Sequence, residues 1–214
     1  MGRPIRSALP QRAAAVGATA LLSAGLVAAA TGTASAATIL HVKYKVSGTT
    51  YLAGPKASLA LGPGTLSVRE NANTGKLSAT LSLPEATGSF SELGIPVSAT
   101  TQFINDGPTT GKVNEKTGAV TTTSNITLRI VSMSIAGIPV PVGSSCETAN
   151  PVSVKLKSQK GFSVLGGGKM AGTYTIGDFS GCGLLGLDDL LINQTIPASG
   201  NTISFTLGKA KLVK

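Results

Sequence analysis

The sequence predicts an all-β protein: an antiparallel β-sandwich or a flattened β-barrel of about ten strands, with one disulfide and at most one short helix. Apolar and polar residues alternate with a period of two, the pattern of strands with one buried and one solvated face. Threonine and valine are abundant in these stretches, and Gly-, Pro- and Asn-bearing breaks recur between them. A sandwich and a barrel share this alternation, so both remain open.

Four stretches carry the alternation most clearly, and each predicts a strand. The expected inward positions are Leu40, Val42, Tyr44 and Val46; Leu77, Ala79, Leu81 and Leu83; Val152, Val154 and Leu156; and Ile203, Phe205 and Leu207.

A longer stretch, residues 120–135, changes phase partway along. Ile126, Leu128 and Ile130 share one parity, whereas Met133 and Ile135 take the other. We expect a β-bulge near Ile130–Val131 to reconcile the two phases.

One short helix is expected around residues 184–193, where Leu187, Leu190 and Leu191 would share a face. A loop with a single turn fits this segment nearly as well.

The first 36 residues have the composition of a cleaved export signal. Three arginines precede an Ala-rich apolar run, and Ala34-Ser35-Ala36 supplies the small residues that a signal peptidase recognises. A permanent membrane span needs about 20 predominantly apolar residues, and this run is mostly Ala, Gly, Thr and Ser. We therefore expect cleavage after Ala36, no transmembrane anchor afterwards, and a single secreted domain of residues 37–214.

The chain has two cysteines, Cys146 and Cys182. An oxidising compartment favours their pairing, and their spacing is not that of a Cys-x-x-Cys redox pair. We expect a structural disulfide.

The formal net charge of the whole chain is +9, from 18 basic and 9 acidic residues. The basic residues are scattered, aromatic residues make up 4% of the chain and tryptophan is absent, which argues against nucleic-acid binding. A solvated basic surface is the simplest interpretation, and weak attraction to anionic envelope polymers or lipid headgroups is the alternative.

An internal repeat is expected over about residues 71–97 and 114–140. The turn Asn73–Leu77 recurs as Lys116–Val120, and Gly94-Ile-Pro-Val recurs from Gly137. Both recurrences have the same offset of 43 residues, which favours duplication of the segment.

No motif predicts catalysis, a cofactor or a metal site. His41 is the only histidine, and its strand position is expected to face solvent. The adjacent carboxylates Asp188 and Asp189 would occupy the first turns of a helix rather than face a sugar together. Gly166-Gly167-Gly168-Lys169 lacks the Ser or Thr that follows the lysine of a phosphate loop, so it predicts a hairpin turn. We expect a protein that is not an enzyme.

The second half of the chain resembles a group of small exported proteins of actinobacteria whose functions are not characterised. The specific elements are Cys146-Glu-Thr, Gly181-Cys182-Gly and Gly200-Asn-Thr, and the likeness covers roughly residues 64–207. The resemblance implies an exported β-protein and carries over no activity and no catalytic residue.

These observations predict a secreted, non-enzymatic protein of the cell surface or extracellular space, with a binding or structural role and partners among cell-envelope components. The alternative is a carrier of a lipid or another apolar small molecule in a β-sheet cavity, because 42% of the residues are hydrophobic. A cavity of several hundred Å³ would favour the carrier. A cleft that brings His41 beside a serine and a buried aspartate would favour an enzyme.

Overall fold

The structure, a computed structural model, describes residues 37–183 and 187–213, without the side chains of Leu187 and Asp188. The expected signal segment, with Ala34 and Ala36, lies outside the described residues.

The described part of the chain is all-β, as predicted, and ten of its strands have five or more residues. In chain order, β1 to β14 and α1 are Ile39–Leu52, Ala57–Asn71, Lys76–Ser82, Ala86–Glu92, Ile95–Asn105, Thr109–Val113, Val120–Ile135, Ile138–Val140, Glu147–Thr148, Val152–Ser158, Gly168–Ile176, Phe179–Ser180, helix α1 Leu187–Thr195, Ala198–Leu207 and Lys211–Leu212.

Eight strands close into an antiparallel barrel in the order β10-β11-β13-β1-β2-β3-β6-β7. Closure comes from β7, whose first half pairs with β10 from Thr121↔Lys157 to Ile126↔Val152. The barrel is therefore the correct one of the two predicted architectures. The second half of β7 pairs with β5, which pairs with β4, so the sheet extends beyond the barrel.

The predicted bulge in β7 is confirmed. Thr100 on β5 lies opposite Ser132 and Thr101 lies opposite Ile130, so Val131 has no partner on β5. Ile130 is 1% exposed and Val131 is 36% exposed. The extra residue switches the phase, so that Ile130 and Met133 both point into the core.

Inward residues of the predicted alternations form the core. One buried cluster fills the barrel and includes Val42, Tyr44, Val46, Phe205 and Leu207. The other lies under the sheet extension, around the disulfide.

Helix α1 confirms the prediction of one short helix. Of the leucines expected to share a face, Leu187 has no described side chain. Leu190 and Leu191 are exposed, whereas Ile192 is buried. Polar bonds set this orientation: the Cys182 N–H donates to Asp189 Oδ1 at 2.7 Å, and the Phe179 N–H donates to Asn193 Oδ1 at 2.7 Å. Among the described residues, no helix is long and apolar enough to cross a membrane.

The two segments of the expected repeat contain turns of the same geometry. The Asn71 carbonyl accepts the N–H groups of Thr74 and Gly75, and the Asn114 carbonyl accepts those of Thr117 and Gly118. Farther along, Leu93-Gly94 and Ala136-Gly137 both have positive φ at both residues, the geometry of type I′ hairpin turns. Duplication of the segment stays a prediction.

The molecule has two distinct ends. The plug end is the barrel end covered by residues 159–167, which we call the plug loop. The disulfide end carries Cys146–Cys182, α1 and the two type I′ turns. Strand β7 runs from the first to the second.

Candidate binding surfaces

The barrel interior is nearly filled. A cavity of about 60 Å³ remains among its apolar side chains, and another of about 60 Å³ lies under the sheet extension. Phe162 and Val164 of the plug loop pack against the barrel core, and the Tyr44 hydroxyl donates to the Val164 carbonyl at 2.6 Å. Ligand pockets usually measure about 300–1,000 Å³. Neither cavity has room for a lipid chain, so the interior does not favour the carrier.

Glu70 is the one charged residue that lines the barrel cavity, and it is 8% exposed. Its carboxylate has no hydrogen-bond donor among the described residues. Burial raises the pKa of this carboxyl above its ordinary value, and the charge of Glu115 raises it further. Burial, together with the charge of Glu70, also raises the pKa of Tyr44 to about 12. The burial of Glu70 was not predicted, although Glu70 shares the inward parity of Leu66 and Val68 along β2.

Replacing Glu70 by glutamine is expected to stabilise the protein at about pH 7 and to have little effect at about pH 4. The raised pKa means that the folded state keeps its proton to higher pH than the unfolded chain. Stability is therefore lost as the pH rises from the ordinary glutamate pKa of 4.5 through the raised value. Urea unfolding of both proteins at the two pH values measures the difference. Glu85→Gln, at an exposed site, is the control, and an equal gain at both pH values would contradict the prediction.

The predicted disulfide joins Cys146 and Cys182, both fully buried, and the described part of the chain has no free cysteine. The Cys146 carbonyl accepts the Ile130 N–H at 2.8 Å, and the Gly183 N–H donates to the Val142 carbonyl at 2.8 Å. The bridge therefore ties β7 to the segment that leads into α1.

The other elements of the resemblance are also structural. The Thr148 hydroxyl accepts the Leu128 N–H at 3.2 Å, and Glu147 pairs with Arg129 at 2.7 Å. The fully buried Asn201 side chain accepts the Ala53 N–H and donates to the Ala198 carbonyl. These residues hold the fold, so they do not indicate a reaction.

His41 is exposed on the outer face of β1, as predicted. It lies opposite Arg69 and lines a shallow depression of about 230 Å³ together with Ser67 and Ser78. Among the described residues that line this depression there is no carboxylate, so nothing there orients His41 for a Ser-His-Asp mechanism. Gly166 and Gly167 lie in the turn that Ser163 and Gly167 close, as expected for a hairpin.

The outer face of the barrel carries a lysine row, which we define as Lys76 on β3, Lys112 on β6 and Lys157 on β10. Lys76 lies directly opposite Lys112, Lys112 opposite Thr121, and Thr121 opposite Lys157. Residues paired in this way share one face of the sheet, and all three lysines are exposed on it, with Thr121 between Lys112 and Lys157. With strands about 4.8 Å apart, the row is about 14 Å long.

The neighbouring register adds Lys155, opposite Thr123, which in turn lies opposite Thr110. These two registers contain hydroxyls and lysines but no acid. Across the described residues the only ion pair is Arg129–Glu147. No described acid forms an ion pair with the lysine row, although Glu115 lines one surface depression together with Lys112 and Thr121.

An apolar groove of about 280 Å³ lies at the disulfide end, between the β4–β5 hairpin and α1. Its lining includes Leu93, Ile95, Ile135 and Leu191, and one acid, Glu92. No lysine or arginine lines it among the described residues. Alternation could not have predicted this groove, because its walls come from two hairpin ends and a helix.

Comparisons with protein families, with curated proteins and with solved structures found no match to this chain. Its function has to be argued from these surfaces. The described residues also contain no cluster of three or more His, Cys, Asp or Glu side chains suited to a metal ion.

Proposed function

We propose that this chain is a secreted, non-enzymatic protein that binds anionic polymers of the cell envelope through the lysine row. The observation that carries the proposal is the placement of Lys76 and Lys112 directly opposite each other, with Lys157 in the same register. The fully buried disulfide supports a place of action outside the reducing cytoplasm.

Like charges directly opposite each other on neighbouring strands destabilise a sheet. Lys76 and Lys112 impose this cost, and no described acid forms an ion pair with either lysine. A ligand with closely spaced negative charges would remove the repulsion. Flexible lysine side chains suit a polymer whose charges recur at irregular spacing, because each acts as a point charge rather than as a shaped fork.

Hydroxyl groups next to the lysines favour a glycan as the anionic polymer. Thr121 and Thr123 lie between β6 and β10 in the two registers, and each can donate to or accept from a sugar hydroxyl. Aromatic residues that would stack on nucleic-acid bases are absent from these registers. We therefore propose carboxylate- or phosphate-bearing polysaccharides as the class of partner.

Replacing Lys76 and Lys112 by glutamine is expected to weaken binding to alginate, a carboxylate-bearing polysaccharide, by about tenfold or more. Two charges and their share of the local potential are lost together. Binding of the exported protein to immobilised alginate at several salt concentrations measures the effect. The variant should also show a smaller salt dependence, because fewer counterions are displaced.

The matched control is Lys45→Gln with Lys56→Gln, which changes the net charge equally but leaves the row intact. It should bind alginate nearly as well as the unchanged protein. An equal loss of affinity in both variants would mean that net charge, and not the lysine row, determines binding. If the unchanged protein did not bind alginate even at low salt, the proposal would be refuted.

A further inference from the structure

We propose that copies of this chain associate head to tail, with the apolar groove at the disulfide end of one copy receiving the plug end of the next. The contact uses none of the three lysines of the row, which lie on β3, β6 and β10, so variants of the row and variants of the contact can be tested separately. Three features carry it: a strained exposed leucine, a helix whose Leu190 and Leu191 are exposed, and complementary charge of the groove and the surface proposed to enter it.

Leu93 is the first of these features. It is 93% exposed and has a φ of 52°, in the left-handed region. The first position of a type I′ turn favours Asn, Asp or Gly, and a leucine there strains the backbone. The side chain gains almost no packing against the described residues, and burial against another molecule would compensate for the strain.

Helix α1 is the second feature. Asp189 and Asn193 hold it through their bonds to Cys182 and Phe179, and Ile192 supplies its buried contact. Leu190 and Leu191 are not needed for this anchoring and stay exposed. Leu191 lines the groove together with Leu93 and Ile95, and no segment of the described residues covers this apolar patch.

The plug end supplies the matching surface. Leu165 of the plug loop and Leu212 near the C-terminus are both exposed. They are near each other in the fold, because the Ala210 N–H donates to the Leu165 carbonyl at 2.9 Å. We call Leu165, Leu212 and Val213 the plug-end corner.

Charge distinguishes the plug-end corner from the groove and favours a second copy as the occupant. The plug-end corner is flanked by Lys209 and Lys211, and neither the plug loop nor residues 208–213 contain an acid. The groove has Glu92 in its lining and no base among the described residues. A surface that is apolar and basic thus complements a groove that is apolar and acidic.

The two surfaces lie at opposite ends of β7, so one copy cannot satisfy its own groove. A contact between unlike surfaces at opposite ends is heterologous, and it extends into a linear chain unless rotation closes a ring. We therefore expect the average mass to rise with concentration without stopping at a dimer.

Sedimentation velocity of the protein, purified after export of the full chain, tests the association. Leu93→Asn should weaken the association by about tenfold or more, because the contact loses one leucine side chain. Asparagine tolerates positive φ, so the turn itself should be preserved. Ala136→Asn is the matched control. Ala136 has the same φ of 52° in the equivalent turn but does not line the groove, so its association should be unchanged.

Complementation tests the direction of the contact. A groove variant, Leu93→Asp, and a corner variant, Leu212→Asp with Lys211→Glu, should each be monomeric alone. Mixed in equal amounts they should form a dimer and nothing larger, because one intact groove and one intact corner remain. Circular dichroism confirms that each variant is folded.

Two results would overturn the inference. One is a monomeric unchanged protein at every concentration, and the other is a mixture of the two variants that stays monomeric. If the protein stayed monomeric and bound vesicles of phosphatidylcholine, which has no net charge, and if Leu93→Asn abolished this binding, the groove would instead be a lipid-binding site.

Discussion

Replacing Cys146 and Cys182 together by alanine is expected to lower the free energy of unfolding by about 3–4 kcal/mol. The two residues are 36 positions apart in the chain, and breaking the bond frees that loop in the unfolded state. The loss is large compared with a typical total stability of about 5–15 kcal/mol. Alanine is the suitable replacement because both sites are fully buried, where a serine hydroxyl would need a new partner.

Urea unfolding followed by circular dichroism measures this loss. The control is Ser180→Ala, at an exposed position two residues before Cys182, which should change stability by less than about 0.5 kcal/mol. Hydrogen exchange should also quicken in α1, because the bridge holds the segment that leads into the helix. A loss below about 1 kcal/mol would mean that packing around residues 146 and 182, rather than the covalent link, holds this corner.

Local features of the fold follow from the sequence, whereas its closure does not. The phase change between Ile130 and Met133 predicts the bulge because a strand must alternate faces, and one extra residue is the simplest repair. The pairing of β7 with β10 could not be predicted in the same way, since no local pattern states which strands meet. This pairing separates a barrel from a sandwich.

The candidate surfaces show the same division. The exposure of His41 follows from alternation, and the pairing of the cysteines was predicted from the expectation of an oxidising compartment. The lysine row does not, because Lys76, Lys112 and Lys157 are distant in the chain and meet only through strand register. Apolar periodicity does not give the orientation of α1, because hydrogen bonds to the side chains of Asp189 and Asn193 hold the helix with Leu190 and Leu191 exposed.

The two proposed contacts are physically compatible. The lysine row lies on the outer face of the barrel across β3, β6 and β10, whereas the plug-end corner lies beside β1 and the groove lies at the disulfide end. A head-to-tail chain of copies would repeat the row along its length and bind a polymer at many points. Such repetition raises avidity without any new contact. The double variant Lys76→Gln with Lys112→Gln should therefore weaken polymer binding at every protein concentration. The variant Leu93→Asn should weaken it only at concentrations where the unchanged protein forms head-to-tail chains.

Replacing Asn201 by alanine is expected to destabilise the protein by about 3–5 kcal/mol. The side chain is fully buried; its Oδ1 accepts the Ala53 N–H at 2.8 Å, and its Nδ2 donates to Ala198 O at 2.6 Å and to Tyr174 O at 3.3 Å. It thereby joins the β1–β2 turn to β11 and β13. Alanine leaves three backbone groups without partners, each at a cost of about 1–3 kcal/mol.

A second substitution separates lost hydrogen bonds from lost volume. Asn201→Asp keeps the shape but cannot donate when ionised, and it places a charge at a site without solvent. Its folded-state pKa should be raised, so the variant should gain stability relative to the unchanged protein as the pH falls towards that of an ordinary aspartate. Asn105→Ala, which removes one bond at an exposed asparagine, should cost less than about 1 kcal/mol in the same urea titrations. The prediction would be contradicted if alanine and aspartate at position 201 both cost as little stability as this control, because water would then be satisfying the groups that the amide binds. In that case the Gly-Asn-Thr element would matter for the turn at Gly200 rather than for the asparagine side chain.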